Sequence, residues 1–222
     1  MDFFETYLSI SAVFAENGFH LYLVGGTVRD FLLKRQVDDL DFATDARPSA
    51  MEKFLPDGDF TFARYGTVSL KKNDFSIDIT TFRREEGYMD ARHPDKIIFV
   101  SDMEPDAYRR DFTINALYMD QGHLIYDFFH GRDDLQNHVI RMIGDPAVRL
   151  REDPLRILRA LRFSLLFDFK IEENLADKMR VLSPLVRQLT PAKVNNEISK
   201  MMAVDSEKTN FLLKSFYLDT HY

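Results

Sequence analysis

The sequence predicts an α+β protein: strands mixed with helices over residues 1–145, followed by an all-α segment over residues 146–222. Three observations carry this. Short apolar, β-branched runs bounded by turn residues fill the first part. Helical periodicity takes over after Gly144. Hydrophobic residues make up 45% of the 222, with 20 Phe and 9 Met, which is enough to build a sizeable core.

Taken in order, Phe3 to Ala15 places apolar residues at helical spacing, and Asn17-Gly18 marks the stop. Phe19–Val24 is a short apolar strand. Gly25-Gly26 breaks it, and Thr27 to Arg35 reads as a helix. Asp39–Ala43 alternates acid and apolar residues, as a two-faced strand does. Pro48–Leu55 reads as a short helix. Phe60–Leu70 and Phe75–Phe82 read as strands joined by a turn at Lys72-Asn73-Asp74. Arg83 to Pro94 is polar and reads as a mobile loop, followed by a strand at Ile97–Val100. Pro105 to Met119 reads as a helix and His123–Phe129 as a strand. Pro146 to Met202 is helical by period, with breaks near Asp168, Pro184 and Pro191.

Composition excludes several functions. There is no cysteine, so disulfides, thiol nucleophiles and Cys-based metal sites are ruled out. No apolar run approaches the ~20 residues of a membrane span, and Met1 to Glu16 lacks the basic segment of a signal peptide. The expected location is the cytoplasm, with no membrane partner. The net charge of −7 argues against a broad nucleic-acid-binding surface. It leaves room for a local basic groove, because arginines cluster at Arg83–Arg84, Arg109–Arg110 and Arg149–Arg162.

Candidate chemistry begins at Asp39-Leu40-Asp41. Strand residues two apart share a face about 6.6 Å apart along the chain. Leu40 and Phe42 are expected to face the core, and both carboxylates to face outward. Crowded carboxylates call for a cation, and Mg²⁺ prefers carboxylate, water and phosphate oxygens. A bare Asp-x-Asp is also a common solvated strand face. Asp78 interrupts an apolar strand, and if that strand lies beside Asp39–Ala43 three carboxylates converge, as two-metal phosphoryl transfer requires.

Gly25-Gly26-Thr27-Val28-Arg29-Asp30 joins a strand to a helix. Its glycines allow close approach of a phosphate, the helix start favours anions, and Arg29 adds a charged donor. In Arg109-Arg110-Asp111-Phe112-Thr113-Ile114-Asn115, Arg110 suits a phosphate, and Asp111 or Asn115 a ribose or base. In Glu152-Asp153-Pro154-Leu155-Arg156, extended by Arg159 and Arg162, arginines recur every three residues along a helix. Asp153 and Arg156 are expected to pair, offering an acceptor and donors to the Watson–Crick edge of a base. A salt-bridged surface helix fits the same residues.

In order and spacing, these segments resemble the class II tRNA nucleotidyltransferase and bacterial poly(A) polymerase family from about Leu21 to about Met202. The first motif is Gly25 to Asp30 followed by Asp39-Leu40-Asp41. Asp78, in Ile77 to Arg83, looks like the third carboxylate, and Arg109 to Asn115 like the motif for nucleotide and ribose recognition. Glu152 to Arg156 looks like the Glu-Asp-x-x-Arg motif that reads CTP and ATP.

The resemblance implies a nucleotidyltransferase-type mixed β-sheet head and a helical neck; family members usually continue into body and tail domains, which are expected to be absent from this chain. It implies Asp39 and Asp41 as Mg²⁺ ligands and Asp78 as a further catalytic carboxylate. Gly25, Gly26, Arg29, Arg110, Asp111, Asn115, Glu152, Asp153, Arg156, Arg159 and Arg162 become nucleotide-binding candidates. The activity implied is addition of C, C and A to the 3′ end of tRNA from CTP and ATP without a nucleic-acid template. Glu85-Glu86-Gly87-Tyr88 through Arg92-His93-Pro94-Asp95 resembles the flexible loop of enzymes that complete CCA. An A-adding enzyme or poly(A) polymerase, and an inactive RNA-binding fragment, remain the alternatives, and the oligomeric state is left open.

Overall fold

The computed structural model describes residues 3–87 and 96–218, and the chain divides into two compact units. Of the described residues, the first comprises most of 3–132, and the second 133–218 with 86–87 and 111–113.

In the first unit, α1 (Phe3–Glu16) stops where Gly18 takes φ +80°. Strand β1 (Leu21–Val24), helix α2 (Gly26–Leu32), strand β2 (Asp39–Thr44) and the single-turn α3 (Pro48–Met51) follow. Strands β3 (Thr67–Lys72) and β4 (Phe75–Thr81) form a hairpin. Its tip residues Asn73 and Asp74 both take positive φ, a conformation these two residue types tolerate. Then come β5 (Arg83–Glu86), β6 (Lys96–Phe99), α4 (Met103–Tyr108), β7 (Leu117–Met119) and β8 (Ile125–Asp127).

The main sheet runs β3-β4-β2-β1-β7-β8. Only β2 and β4 pair in parallel among its neighbours, so the sheet is mixed, as expected. Helix α1 covers one face: the Tyr7 hydroxyl donates to the carbonyls of Leu21 (2.9 Å) and Met119 (3.2 Å), and its ring lies 5.4 Å from that of Phe42. Leu40 and Phe42 are fully buried there, each contributing about 1.5–3 kcal/mol. That burial fixes which way the alternate residues of β2 must point.

In the second unit, α5 (Gly131–Gln136) leads into β9 (Val139–Ile140), α6 (Pro146–Glu152), α7 (Leu155–Phe167), β10 (Lys170–Ile171), α8 (Glu173–Leu182), α9 (Pro191–Met202) and α10 (Ser206–Ser215). Helix boundaries follow local chemistry. Asp145 accepts from the Ala147 amide with Pro146 at the first position. Asp168 ends α7 at φ +56°. Prolines open the 3₁₀ turn at Ser183–Gln188 and α9. Helix α7 buries Ile157, Leu158 and Leu161 and packs on α9. No helix of the described residues is long and apolar enough to cross a membrane.

Three elements differ from expectation. The helix expected over Pro105–Met119 ends at Tyr108, and Leu117–Met119 is instead a strand paired with β1. Both faces of β7 are buried, which removes the alternation that marks a strand in sequence. The strand expected over Phe60–Leu70 starts only at Thr67. Asp59 accepts from the amide and hydroxyl of Thr61, and a 3₁₀ turn at Ala63–Tyr65 ends in Gly66 at φ +86°. The loop expected from Arg83 to Pro94 begins as β5, which pairs with β6. Residues 88–94 of that loop lie outside the described residues.

Candidate active site

Four elements of the first unit converge on one patch of sheet. Asp39 and Asp41 lie on the exposed face of β2, while Leu40 and Phe42 are buried. The parallel register sets Asp41 beside Asp78 and Asp39 beside Ser76. Asp78 is held from its far side, where the Ser69 hydroxyl donates to its Oδ1 at 2.5 Å.

The turn before α2 explains its glycines. Gly25 takes φ +66° and ψ −132°, a region that excludes side chains. A Cβ there would stand 3.3 Å from Asp41 Oδ2 and 3.5 Å from Arg110 Nη1. One on Gly26 would stand 3.7 Å from Asp41 Oδ2. The backbone therefore presses against the carboxylate with the guanidinium beside it.

Asp41 reaches water, yet protein surrounds most of its carboxyl. This burial raises its pKa, Arg110 counters the rise, Asp78 and Asp39 add to it, and Arg29 lowers it. Among the described residues, no three His, Cys, Asp or Glu side chains are grouped so as to hold a metal ion. The strand of Asp78 lies beside that of Asp39 and Asp41, the condition under which the three carboxylates come together, and both Asp78 and Asp39 act on the Asp41 charge.

Arg110 is fixed by Asp106, a residue that motif reading did not single out. The buried Asp106 carboxylate accepts from Arg110 Nη2 (3.2 Å), Arg109 Nε (2.8 Å), the Tyr118 hydroxyl (2.6 Å) and the Arg83 amide (3.1 Å). Burial works against its charge, but Arg109, Arg110 and the Tyr118 hydroxyl outweigh it and bring the pKa down to about 2. Burial likewise raises the Tyr118 pKa. Spacing carried a signal for Asp106, which precedes the two arginines by three and four residues on one helical face. Arg29 is a clamp inside the unit: it pairs twice with Asp30 and donates from Nη1 to Asn115 Oδ1 at 2.6 Å.

The second unit gathers the other candidates. Asp111 takes two bonds from Arg159, Nε at 2.8 Å and Nη2 at 2.6 Å, and this pairing raises the Arg159 pKa. Arg156 turns to Glu152 (3.3 Å) and to the Arg149 carbonyl (2.7 Å) in place of the expected Asp153. The reason is a break in the helix: α6 ends at Glu152, and Asp153 takes extended angles, its side chain accepting from the Leu155 amide at 3.1 Å. Arg162 donates to the buried Glu197 on α9 at 2.7 Å. Nothing in the local sequence marked Glu197, 35 residues away, as that partner.

The chain is 40% identical over 200 residues to a CCA-adding enzyme of Lactobacillus helveticus, covering 90% of this chain and 50% of that protein. It is 37% identical over 213 residues to one of Staphylococcus aureus, covering 96% and 53%. Among solved structures, the CCA-adding enzyme of Bacillus stearothermophilus in complex with CTP superposes with a TM-score of 0.86 at 31% identity, covering 95% of this chain and 51% of that one. The Thermotoga maritima CCA-adding enzyme complexed with tRNA gives 0.78 at 28%, covering 96% and 50%. The chain spans about half the length of these relatives. Residues 21–141, more than half the chain and including the sheet, the glycine turn and the Asp106–Arg110 cluster, match the poly A polymerase head domain. The chain belongs to that family.

Proposed function

We propose that the chain is a tRNA nucleotidyltransferase that adds C, C and A to the 3′ end of tRNA from CTP and ATP, with no nucleic-acid template. The observation that carries this reading is the carboxylate pair of β2 beside a glycine turn and a fixed arginine, with Asp78 in register. The names of the relatives support the choice of substrates.

A divalent ion fits Asp39 and Asp41. Their donors are all oxygen, their negative charge is crowded, and two protein ligands leave positions for water and phosphate, the coordination Mg²⁺ prefers. When bound, the ion offsets triphosphate charge and makes the attacking hydroxyl more acidic. Gly25 and Gly26 let the triphosphate approach the backbone. Arg110, and Arg29 with Asn115, steady the phosphates and ribose. The terminal 3′-oxygen of the RNA attacks the α-phosphorus, the bond to the β-phosphate oxygen breaks, pyrophosphate leaves, and Asp78 takes the hydroxyl proton. Asp153 and Arg156 read the base, with Glu152, Asp111, Arg159 and Arg162 holding that surface in shape. Catalysis belongs to residues 1–145 and base reading to residues 146–222. The reaction takes place in the cytoplasm.

The family description favours one second reading, an A-adding or polyadenylating enzyme. The deciding experiment supplies tRNAs ending before CCA, after C and after CC, with CTP and ATP separately and together. Stepwise growth that stops at CCA is expected. Growth on ATP alone, or without a stop, moves the assignment to the second reading. No addition leaves an inactive RNA-binding fragment.

A further inference from the structure

Strand β2 is held differently on its two sides. Toward β4 the pairing continues from Thr44 down to Asp39. Toward β1 it stops at Phe42, opposite Leu23. There β1 ends, and the chain swings away through Gly25 into α2. On that side the Asp41 amide and the Asp39 carbonyl lack the strand that would have bonded them. An unpaired amide and carbonyl at the end of a strand leave it free to fray, and here the frayed residues are the carboxylate pair itself.

Thr27 fills the gap. Its hydroxyl accepts from the Asp41 amide at 2.8 Å and donates to the Asp39 carbonyl at 3.2 Å. One side-chain oxygen thus acts as both acceptor and donor, the two roles a neighbouring strand residue would have played. Thr27 is 2% exposed, so water has little access to compete for either bond. Its β-branched side chain has few rotamers, and it sits in the first turn of α2, one residue after Gly26. The helix that carries Arg29 is therefore stitched to the strand that carries the acids. Ser69 holds Asp78 in a separate way, through the carboxylate itself.

We propose that Thr27 is a positioning residue: its hydroxyl replaces the missing strand and holds Asp39 and Asp41 at the spacing a divalent ion needs. The inference rests on the metal reading given above. A metal bound by two carboxylates feels a small shift of either, because both must stay on one face at a fixed separation.

The test uses Thr27→Val, which keeps the shape and removes the hydroxyl, and Thr27→Ser, which keeps the hydroxyl and removes the methyl. Mn²⁺ binding to the free chain is read by electron paramagnetic resonance, and nucleotide addition is resolved into kcat and KM. Thr27→Val is expected to weaken Mn²⁺ binding about tenfold and to lower kcat while KM for the nucleotide holds. Thr27→Ser is expected to stay near the wild-type protein in both. Equal Mn²⁺ binding by wild type and Thr27→Val overturns the proposal. So does a Thr27→Ser variant as weak as Thr27→Val, which assigns the role to the methyl. Should Thr27→Val fail to fold, amide exchange in the wild-type protein decides instead. A slowly exchanging Asp41 amide supports the clamp, and one exchanging at the rate of an open strand end removes it. A wild-type chain that binds no Mn²⁺ at all sinks the metal reading, and the inference with it, which separates that failure from the failure of Thr27 alone.

Discussion

Replacing Asp106 by Asn keeps the shape of the side chain and removes the charge that Arg109 and Arg110 share. The carboxylate accepts four hydrogen bonds, has no exposed surface, and titrates at about 2 in the folded chain. Against an unfolded value of about 3.9, that difference corresponds to about 2–3 kcal/mol of stability. The folded pKa is the lower one. The contribution is therefore fully present above pH 4 and is lost as pH falls toward 2. At pH 7 the variant also removes one counter-charge from two half-buried guanidinium groups, so its deficit should be at least that large. Urea unfolding of the wild-type chain and Asp106→Asn at pH 7 and at pH 2.5 measures it. The expected result is a gap of about 2–3 kcal/mol or more at pH 7 that narrows sharply at pH 2.5. Because Arg110 loses its anchor, nucleotide KM should rise in parallel. A gap that is the same at both pH values, or absent at pH 7, would refute the account of Asp106 as the charged hub.

Other perturbations have equally definite outcomes. Asp41→Ala should reduce nucleotide incorporation by about a thousandfold or more while circular dichroism and the melting temperature hold, and unchanged turnover would remove Asp41 from the mechanism. Gly25→Ala forces a side chain into φ +66° and against Asp41 Oδ2, so a loss of about 1–3 kcal/mol together with most activity is expected; an active variant of wild-type stability would contradict the crowding. For Arg162 and Glu197, a double-mutant cycle on thermal stability should return a coupling of about 0.5–3 kcal/mol, since both side chains are largely buried and 2.7 Å apart. A coupling near zero would mean that the pair does not hold α7 to α9.

Much of the site was readable because its signals are local. The alternation of Asp39 to Phe42 named the face of each residue, and one buried face was enough to make it true. Gly25-Gly26 announced a turn that no side chain can occupy, and the positive φ of Gly25 is its cause. Helix ends were marked by Asp145-Pro146, Pro184 and Pro191. Asp106 carries a spacing signal of its own, three and four residues before Arg109 and Arg110. The helix expected over Pro105–Met119 fails at Leu117–Met119, where burial on both faces erases the two-residue period.

The sequence by itself determined the α+β class, the order of the motifs, the outward direction of the β2 carboxylates and the helical character of the second part. Only the tertiary structure decided that Asp41 stands level with Asp78, that Arg156 turns to Glu152, that Arg162 meets Glu197, and that one threonine hydroxyl closes the open side of β2. The physical reason is range. Periodicity and capping report interactions between residues a few positions apart. Strand register and buried ion pairs join residues tens of positions apart, and which of the available partners meet is set by how the whole core packs.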